Sequence, residues 1–164
     1  MVGTDVQRRN VRMETGHKLT SEGSVAALPS YPLKEVIMYL HYNENPRGNY
    51  EAGDCVIRAI SIVTGDSWDS IYVALCAEGF YIGDWGNNNG SWDWYLRSKG
   101  FKRYICPNEC PYCYSVADFA REHRQGSYIV ATGSHAVAVV DGNYIDAWDS
   151  GKAIPIYYYT KEEM

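Results

Sequence analysis

The sequence lacks any apolar run of about 18 residues, which is the length that a membrane-spanning helix needs. Its N-terminus also lacks a positively charged start followed by an apolar stretch, so the pattern indicates no secretory signal peptide. No internal repeat is visible. From these absences we expect a cytoplasmic protein that has no membrane partner.

A surplus of positive charge is also missing, since the formal net charge is −5. Proteins that bind nucleic acid normally present a basic face to the phosphates. The one basic run lies at residues 7–12, and we interpret it as a solvated tail. We therefore expect no nucleic acid among the partners of this protein.

The number of cysteines, five, is odd, which suits reduced thiols better than disulfides when no export signal is visible. Cys106, Cys110 and Cys113 have the spacing C-x3-C-x2-C, and three such thiolates could hold a structural zinc ion with a fourth ligand such as His123. Residues 110–113 also match the redox dithiol of glutaredoxins. We favour a Cys-rich surface loop over both alternatives and expect no cofactor.

The chain length of 164 residues suits one domain with a full core. Residues 1–30 are polar, mixed in charge and without hydrophobic period, so we interpret them as a mobile leader. A single domain is then predicted over residues 31–164.

Hydrophobic periodicity and turn residues predict helices first and strands afterwards. An initial strand is predicted at 35–42, and the helices are predicted at 55–64, from a Ser67 cap to just before Gly83, from a Ser91 cap to 99, and at 115–123. Further strands are predicted at 101–105, 128–132, 136–140, 144–148 and 154–159, with a tight hairpin at 141–143. This order indicates an α+β fold with an antiparallel C-terminal sheet.

Cys55 is the strongest candidate for a catalytic residue. It follows Gly53 and Asp54 and opens the first predicted helix, which is apolar on nearly every side and therefore expected to be buried. Free backbone N–H groups and the helix dipole favour an anion at this position, so a thiol there loses its proton more easily. The same N–H groups could hold the oxyanion that forms when a carbonyl is attacked.

His135 is the matching candidate for a general base, at the start of the strand that precedes the hairpin. In that hairpin the numbers of cross-strand partners sum to about 283–285, so His135 lies opposite residues 148–150. Asp149 falls in this window, and we predict that it fixes the tautomer of His135. Asp146 is the alternative acid, and it is offset by about one residue pair along the ladder from the position opposite His135.

The order of a helix-opening Cys, a strand-opening His and an Asp on the next strand resembles that of papain-like cysteine peptidases. More narrowly, the segments NPRG (45–48), GDCVIRAI (53–60), HAVAVVDG (135–142) and DAWDS (146–150) resemble those of small proteins from phages and Gram-positive bacteria. The resemblance implies a papain-like fold, in which the helix bearing the Cys packs on the C-terminal sheet. It also implies amide-bond chemistry in a bacterial or phage-infected cytoplasm.

One feature of that family is missing, because papain-like enzymes carry a Gln a few residues before the Cys as an oxyanion donor and this chain has none there. Asn49 lies six residues before Cys55 and matches the spacing, whereas Asn45 lies ten before and is favoured by the narrower resemblance. Losing such a donor costs about 10²–10³ in rate. If neither amide serves, we expect a weak or inactive site.

Three functions follow as hypotheses. The first is a cysteine peptidase or related amide or isopeptide hydrolase acting on a protein or peptide, with Trp85 and Trp148 as candidate contacts in the substrate groove. The second is a catalytically weak papain-fold protein of phage origin that binds or inhibits a host protein. The third is a dithiol oxidoreductase that uses Cys110 and Cys113.

Overall fold

The computed structural model describes residues 38–107 and 113–161, and in this part of the chain four helices pack against one sheet. The α+β class predicted from the sequence is therefore confirmed. The predicted leader at residues 1–30 and Cys110 lie outside the described residues. Within the described part, no helix is both long and apolar enough to cross a bilayer.

The sheet has six strands in the order β1-β5-β4-β3-β6-β2. Their bounds are β1 (Tyr39–His41), β2 (Lys102–Ile105), β3 (Ser127–Ala131), β4 (Ala136–Val140), β5 (Asn143–Asp146) and β6 (Tyr157–Thr160). Strands β2 to β6 pair antiparallel, as predicted, whereas β1 pairs parallel to β5, so the complete sheet is mixed.

The turn between β4 and β5 fixes the register of the two strands. Asp141 and Gly142 have φ angles of 47° and 77°, and two successive positive values are what a type I′ turn requires. Val140 consequently pairs with Asn143 and Ala138 with Ile145, so partner numbers sum to 283 along this hairpin. This sum is the lower limit of the predicted window, and it places Trp148 rather than Asp149 opposite His135.

Among the four C-terminal strands, two differ from the predicted bounds by two or more residues at one end. The last strand was expected at 154–159, but β6 spans Tyr157–Thr160, because Pro155 has no N–H to donate to a ladder. β5 ends at Asp146 rather than at Trp148, and the chain leaves the sheet there.

The helices are α1 (Cys55–Thr64), α2 (Trp68–Ile82), α3 (Asn89–Ser98) and α4 (Val116–Glu122). The bounds of α1 agree with those predicted, and Gly65 ends it in the left-handed conformation, as a C-cap glycine does. α3 begins earlier than the predicted Ser91 cap, with Asn88 at the N-cap position. The Ser91 hydroxyl instead donates to the carbonyl of Trp85 at 2.6 Å, which ties α3 to the preceding loop.

The sheet buries both of its faces. On one face the alternate residues Ile129, Ala131, Ala136 and Ala138 pack under α1, α2 and α3 in one cluster. On the other face Val130, Val137 and Val139 form a second cluster with α4. Helix α1 packs against β4, and the start of α1 and the residues just before β4 line one cleft, which brings Cys55 and His135 to the same place.

Candidate active site

Cys55 and His135 line one small cleft of about 190 Å³ at the N-terminal end of α1. The cleft is bordered on one side by the loop before β4 and on the other by Gly53, Asn87, Asn89 and Trp92. Both residues are partly buried, and the side chain of His135 is only 11% exposed. The structure therefore brings together the two residues that sequence reasoning selected.

The first turn of α1 keeps its backbone N–H groups available to the cleft. Asp54 occupies the N-cap position, yet its side chain makes no capping hydrogen bond. Its carboxylate is held elsewhere, by the Asn45 amide at 2.8 Å, the Trp68 indole at 2.9 Å and the guanidinium of Arg58. The N–H groups that a capping residue normally satisfies are thus left for an anion at Cys55.

Cys55 and His135 line the same cleft, and the imidazole beside the thiol shifts the proton equilibrium of both groups. Burial alone would raise the pKa of Cys55, but the neighbouring imidazole of His135, the N–H of Ala136 and the charge of Arg58 together lower it. Burial alone would lower the pKa of His135, but Asp146 and Cys55 raise it to about 9. The electrostatics therefore favour a thiolate–imidazolium pair.

Asp146, not Asp149, holds the imidazole. The Nε2 atom of His135 lies 2.5 Å from Oδ2 of Asp146, which leaves Nδ1 for Cys55. Asp149 instead accepts hydrogen bonds from the Tyr144 hydroxyl at 2.8 Å and from the N–H of Gly151 at 3.1 Å. The predicted pairing of His135 with Asp149 is thus wrong, and the alternative acid makes the contact.

The ends of the strands explain which acid makes the contact. Continuing the register of β4 and β5 places His135 opposite Trp148, beyond the last paired residues, and Asp146 is the final residue of β5. The carboxylate of Asp146 there reaches His135 and Arg58 of α1, whereas Asp149 lies past the strand and contacts Tyr144, which packs in the cluster on the α4 face. The indole of Trp148 covers the imidazole, with ring centroids 4.2 Å apart, and shields the pair from solvent.

Arg58 was not selected from the sequence, although it connects the two acids of the site. It is 4% exposed, forms a buried ion pair with Asp54, and its Nη2 lies 4.0 Å from Oδ1 of Asp146. The available signal was a single charge in an otherwise apolar helix, four residues after an acid. Arg58 thereby links the carboxylate that precedes Cys55 to the carboxylate that holds His135.

Neither amide predicted as an oxyanion donor lies in the cleft. Asn45 is buried, and its Nδ2 donates to Asp54, so it positions that acid. Asn49 is exposed and uses its Oδ1 to accept from the N–H of Glu51. Two other amides, Asn87 and Asn89, do line the cleft, where the fold places the loop before α3.

The two tryptophans predicted for a substrate groove have different surroundings. The Trp148 ring packs against His135 at an interplanar angle of 32° and is absent from the lining of the cleft. Trp85 is 78% exposed and lines a separate, larger cavity that shares Gly53 and Asn87 with the cleft. Trp92 and Tyr157, which were not predicted, border the cleft itself.

The remaining cysteines give no metal centre among the described residues, where no three His, Cys, Asp or Glu side chains form a group that could hold an ion. Cys106 is buried, and burial raises the pKa of its thiol to about 11. Cys113 is exposed. Since Cys110 lies outside the described residues, the zinc and dithiol hypotheses stay predictions.

Comparisons with known proteins assign no family to this chain: no family model matches it, and neither the curated proteins nor the solved structures contain a match. What the site can do must therefore be argued from its own geometry. In such a site a buried carboxylate holds an imidazolium beside a thiolate. The thiolate can attack a carbonyl carbon, and the imidazolium can protonate the leaving group.

Proposed function

We propose that this protein is a cysteine hydrolase that cleaves amide or isopeptide bonds of a protein or peptide substrate. The single observation that carries the proposal is the placement of Cys55 and His135 in one cleft at the start of a buried helix, with Asp146 holding the imidazole. A structural cysteine would need neither a charged imidazole beside it nor an uncapped helix N-terminus.

The reaction follows from the positions of these groups. The Sγ thiolate of Cys55 attacks the carbonyl carbon, and the oxyanion that forms is stabilised by the N–H groups of the first turn of α1. The carbon–nitrogen bond then breaks as His135 gives its proton to the departing amine, which leaves a thioester on Cys55. Neutral His135 next takes a proton from water, whose oxygen attacks the thioester and releases the carboxylic acid and the thiolate.

The papain-like assignment is part of the same proposal. It is supported by the chain order of the three residues and by the packing of α1, which bears the cysteine, against β4, which follows the histidine. The resemblance of residues 53–60 and 135–150 to proteins of phages and Gram-positive bacteria supports a bacterial or phage-infected cytoplasm as the setting.

Site-resolved thiol labelling tests the proposal without knowledge of the substrate. Iodoacetamide alkylates thiolates, so Cys55 should react below pH 9 and faster than the exposed Cys76 and Cys113, which serve as internal controls. The advantage should vanish in His135→Ala. If Cys55 labels no faster than Cys76, or if His135→Ala labels like wild type, the hydrolase proposal is wrong.

A second candidate function is a papain-like binding protein that has lost catalytic efficiency. It is favoured by one observation, the engagement of Asn45 with Asp54 and the exposure of Asn49, which leaves the cleft without either predicted donor. Turnover of an activated ester separates the two functions. The ester acylates Cys55 in either case, but a hydrolase then hydrolyses the thioester and frees Cys55, whereas a binding protein stays acylated. Mass spectrometry of the intact chain over time distinguishes them.

A further inference from the structure

Helix α2 is apolar on both of its sides. Its inner side is buried in the core through four residues: Trp68, Ile71, Leu75 and Gly79. Residues spaced three, four and seven positions apart share a helix face, and on the outer side of α2 they are Val73, Cys76, Ala77 and Phe80, all exposed. A helix that is apolar all round is normally covered on every side. The composition of α2 therefore calls for a partner on its outer side.

The apolar area that α2 presents to solvent is large. Phe80 and Tyr81 are 84% and 81% exposed, and Val73 and Tyr72 are 67% and 47% exposed. Since an aromatic side chain has a surface of about 150–250 Å², these four residues expose roughly 550 Å². Each partner in a stable protein–protein interface buries about 800 Å², so the outer side of α2 supplies most of what such an interface needs.

The outer side of α2 is also uncharged. The helix contains no Lys or Arg, and of its two acids Asp69 is paired with Arg47 at 2.8 Å, whereas Glu78 is half-buried to one side. The whole chain has a formal net charge of −5. A partner that recognises charge finds none here, and two copies of an acidic chain meet with least repulsion where their surfaces are neutral.

The sizes of the exposed side chains are symmetric along the helix about a point between Cys76 and Ala77. The pairs at equal distances from this point are Tyr72 and Tyr81, Val73 and Phe80, and Cys76 and Ala77. If two α2 helices lie antiparallel about a two-fold axis through this point, Val73 of one copy faces Phe80 of the other. The small residues at the centre let the helices approach closely, and the same patch serves both copies, as two-fold symmetry requires.

We propose that the outer side of α2 is the surface on which a second copy of this chain docks, as an antiparallel, two-fold symmetric pair of α2 helices. This inference goes beyond the proposed hydrolase function and does not depend on it. Tyr72, Val73 and Cys76 also line the larger cavity that shares Gly53 and Asn87 with the cleft, so the second copy covers part of the rim of that cavity.

Light scattering and sedimentation of the full chain at tens of micromolar test the inference, and the mass should be that of two chains. Phe80→Lys should raise the dissociation constant of the dimer by about 30-fold or more, as loss of a central aromatic residue does at an interface. The variant should keep its fold, since Phe80 is exposed and a positive charge suits the end of a helix. Circular dichroism checks this.

Ile105→Lys is the matched control. Ile105 is 69% exposed on the edge strand β2, so the variant makes the same change of charge at an apolar side chain outside α2. It should leave the dimer intact. If Ile105→Lys dissociates the dimer and Phe80→Lys does not, the copies pair through the edge of the sheet and the inference is wrong.

The antiparallel arrangement has a test of its own. Val73→Glu should weaken the dimer, but Val73→Glu combined with Phe80→Lys places opposite charges face to face across the axis. The double variant should associate more tightly than either single variant, and more so at low salt. A short bismaleimide should also link Cys76 of one copy to Cys76 of the other, whereas Cys113, which is exposed as well, should not be linked.

A wild-type chain that stays monomeric at hundreds of micromolar would overturn the inference. Co-sedimentation of that monomer with phosphatidylcholine vesicles would then assign the outer side of α2 to a lipid surface. A dimer that Phe80→Lys leaves unchanged would overturn it too. A double variant that associates no better than Phe80→Lys alone would refute the antiparallel pair. None of these results bears on the reactivity of Cys55, so the hydrolase proposal is tested separately.

Discussion

At the scale of single residues, the charge on His135 controls the chemistry of Cys55. The pKa of His135 is raised to about 9, whereas that of Cys55 is lowered from its ordinary value of 9.0. Over the pH range in which the thiol has already ionised and the imidazole is still protonated, the thiolate and the imidazolium exist together. Because the groups are coupled, a titration reports values that belong to the pair.

A bell-shaped pH profile is the first prediction. Amide hydrolysis should rise with pH as Cys55 deprotonates and fall near pH 9 as His135 loses the proton that the leaving group needs. A plot of kcat/KM against pH, measured with a peptide substrate, gives both limbs of the profile. In His135→Ala the alkaline fall should disappear, and an unchanged fall in that variant would assign it to another group.

The acid partner gives the second prediction. Asp146→Asn should lower the pKa of His135, move the alkaline limb below pH 9, and slow the labelling of Cys55 near pH 7 by about tenfold. Asp149→Asn is the matched control, because Asp149 contacts Tyr144 and Gly151 and not the imidazole. Equal effects of the two variants on Cys55 labelling would contradict the assignment.

Cys55 and His135 could be predicted from the sequence, because each stands at the start of an element whose type is evident from local residues. The choice between Asp146 and Asp149 could not, since it depends on where β5 ends and on the path that the chain takes after it. Asn45 and Asn49 were chosen on spacing alone. Spacing in a loop does not determine the direction of a side chain, and the structure directs Asn45 to Asp54.

At the scale of the elements, Arg58 joins helix α1 to strand β5. Its guanidinium lies between Asp54, which precedes α1, and Asp146, which ends β5. Each of these three charged side chains is at most 4% exposed, and burying any one of them alone would be unfavourable. Their contacts with one another compensate for the loss of hydration.

The third prediction concerns this buried network. Arg58→Met should lower the free energy of unfolding by about 3–5 kcal/mol, because two buried carboxylates lose their counter-charge. Urea unfolding followed by tryptophan fluorescence measures the change. The double variant Asp54→Asn with Arg58→Met should recover part of the loss, and a double variant no more stable than Arg58→Met would contradict the view that the uncompensated charge of Asp54 causes the loss.

Helix bounds were predicted better than strand bounds. Asp54 and Gly65 mark the ends of α1 by turn chemistry that is local in sequence. The parallel pairing of β1 with β5 joins residues about a hundred positions apart, and no local pattern encodes such a contact. α3 starts at Asn89 because Ser91 bonds to the loop carbonyl of Trp85, which is a tertiary contact.

At the scale of the whole molecule, the two hydrophobic clusters share strands β3 and β4 at the centre of the sheet. Val130, Val137, Ala138 and Val139 are completely buried between α1 on one face and α4 on the other. The strands at the sheet's ends, β1 and β2, expose most of their side chains.

The fourth prediction is a gradient of amide exchange across the sheet. Amides of β3 and β4 should exchange with deuterium only on global unfolding, whereas those of β1 and β2 should exchange orders of magnitude faster through local opening. Hydrogen exchange read by NMR or by peptide mass spectrometry measures this gradient. Protection in β1 equal to that in β4 would show that an interaction outside the described contacts holds that edge.

The nucleophile and its base belong to different parts of this architecture, since Cys55 is carried by the helical layer and His135 with Asp146 by the sheet. Neither layer alone contains a reactive site. A newly synthesised chain whose helices have formed but have not docked therefore carries an ordinary thiol, harmless to other proteins in the cell. Reactivity of Cys55 is in this sense a chemical signal that assembly is complete, and one that can be read in a living cell with an alkylating dye.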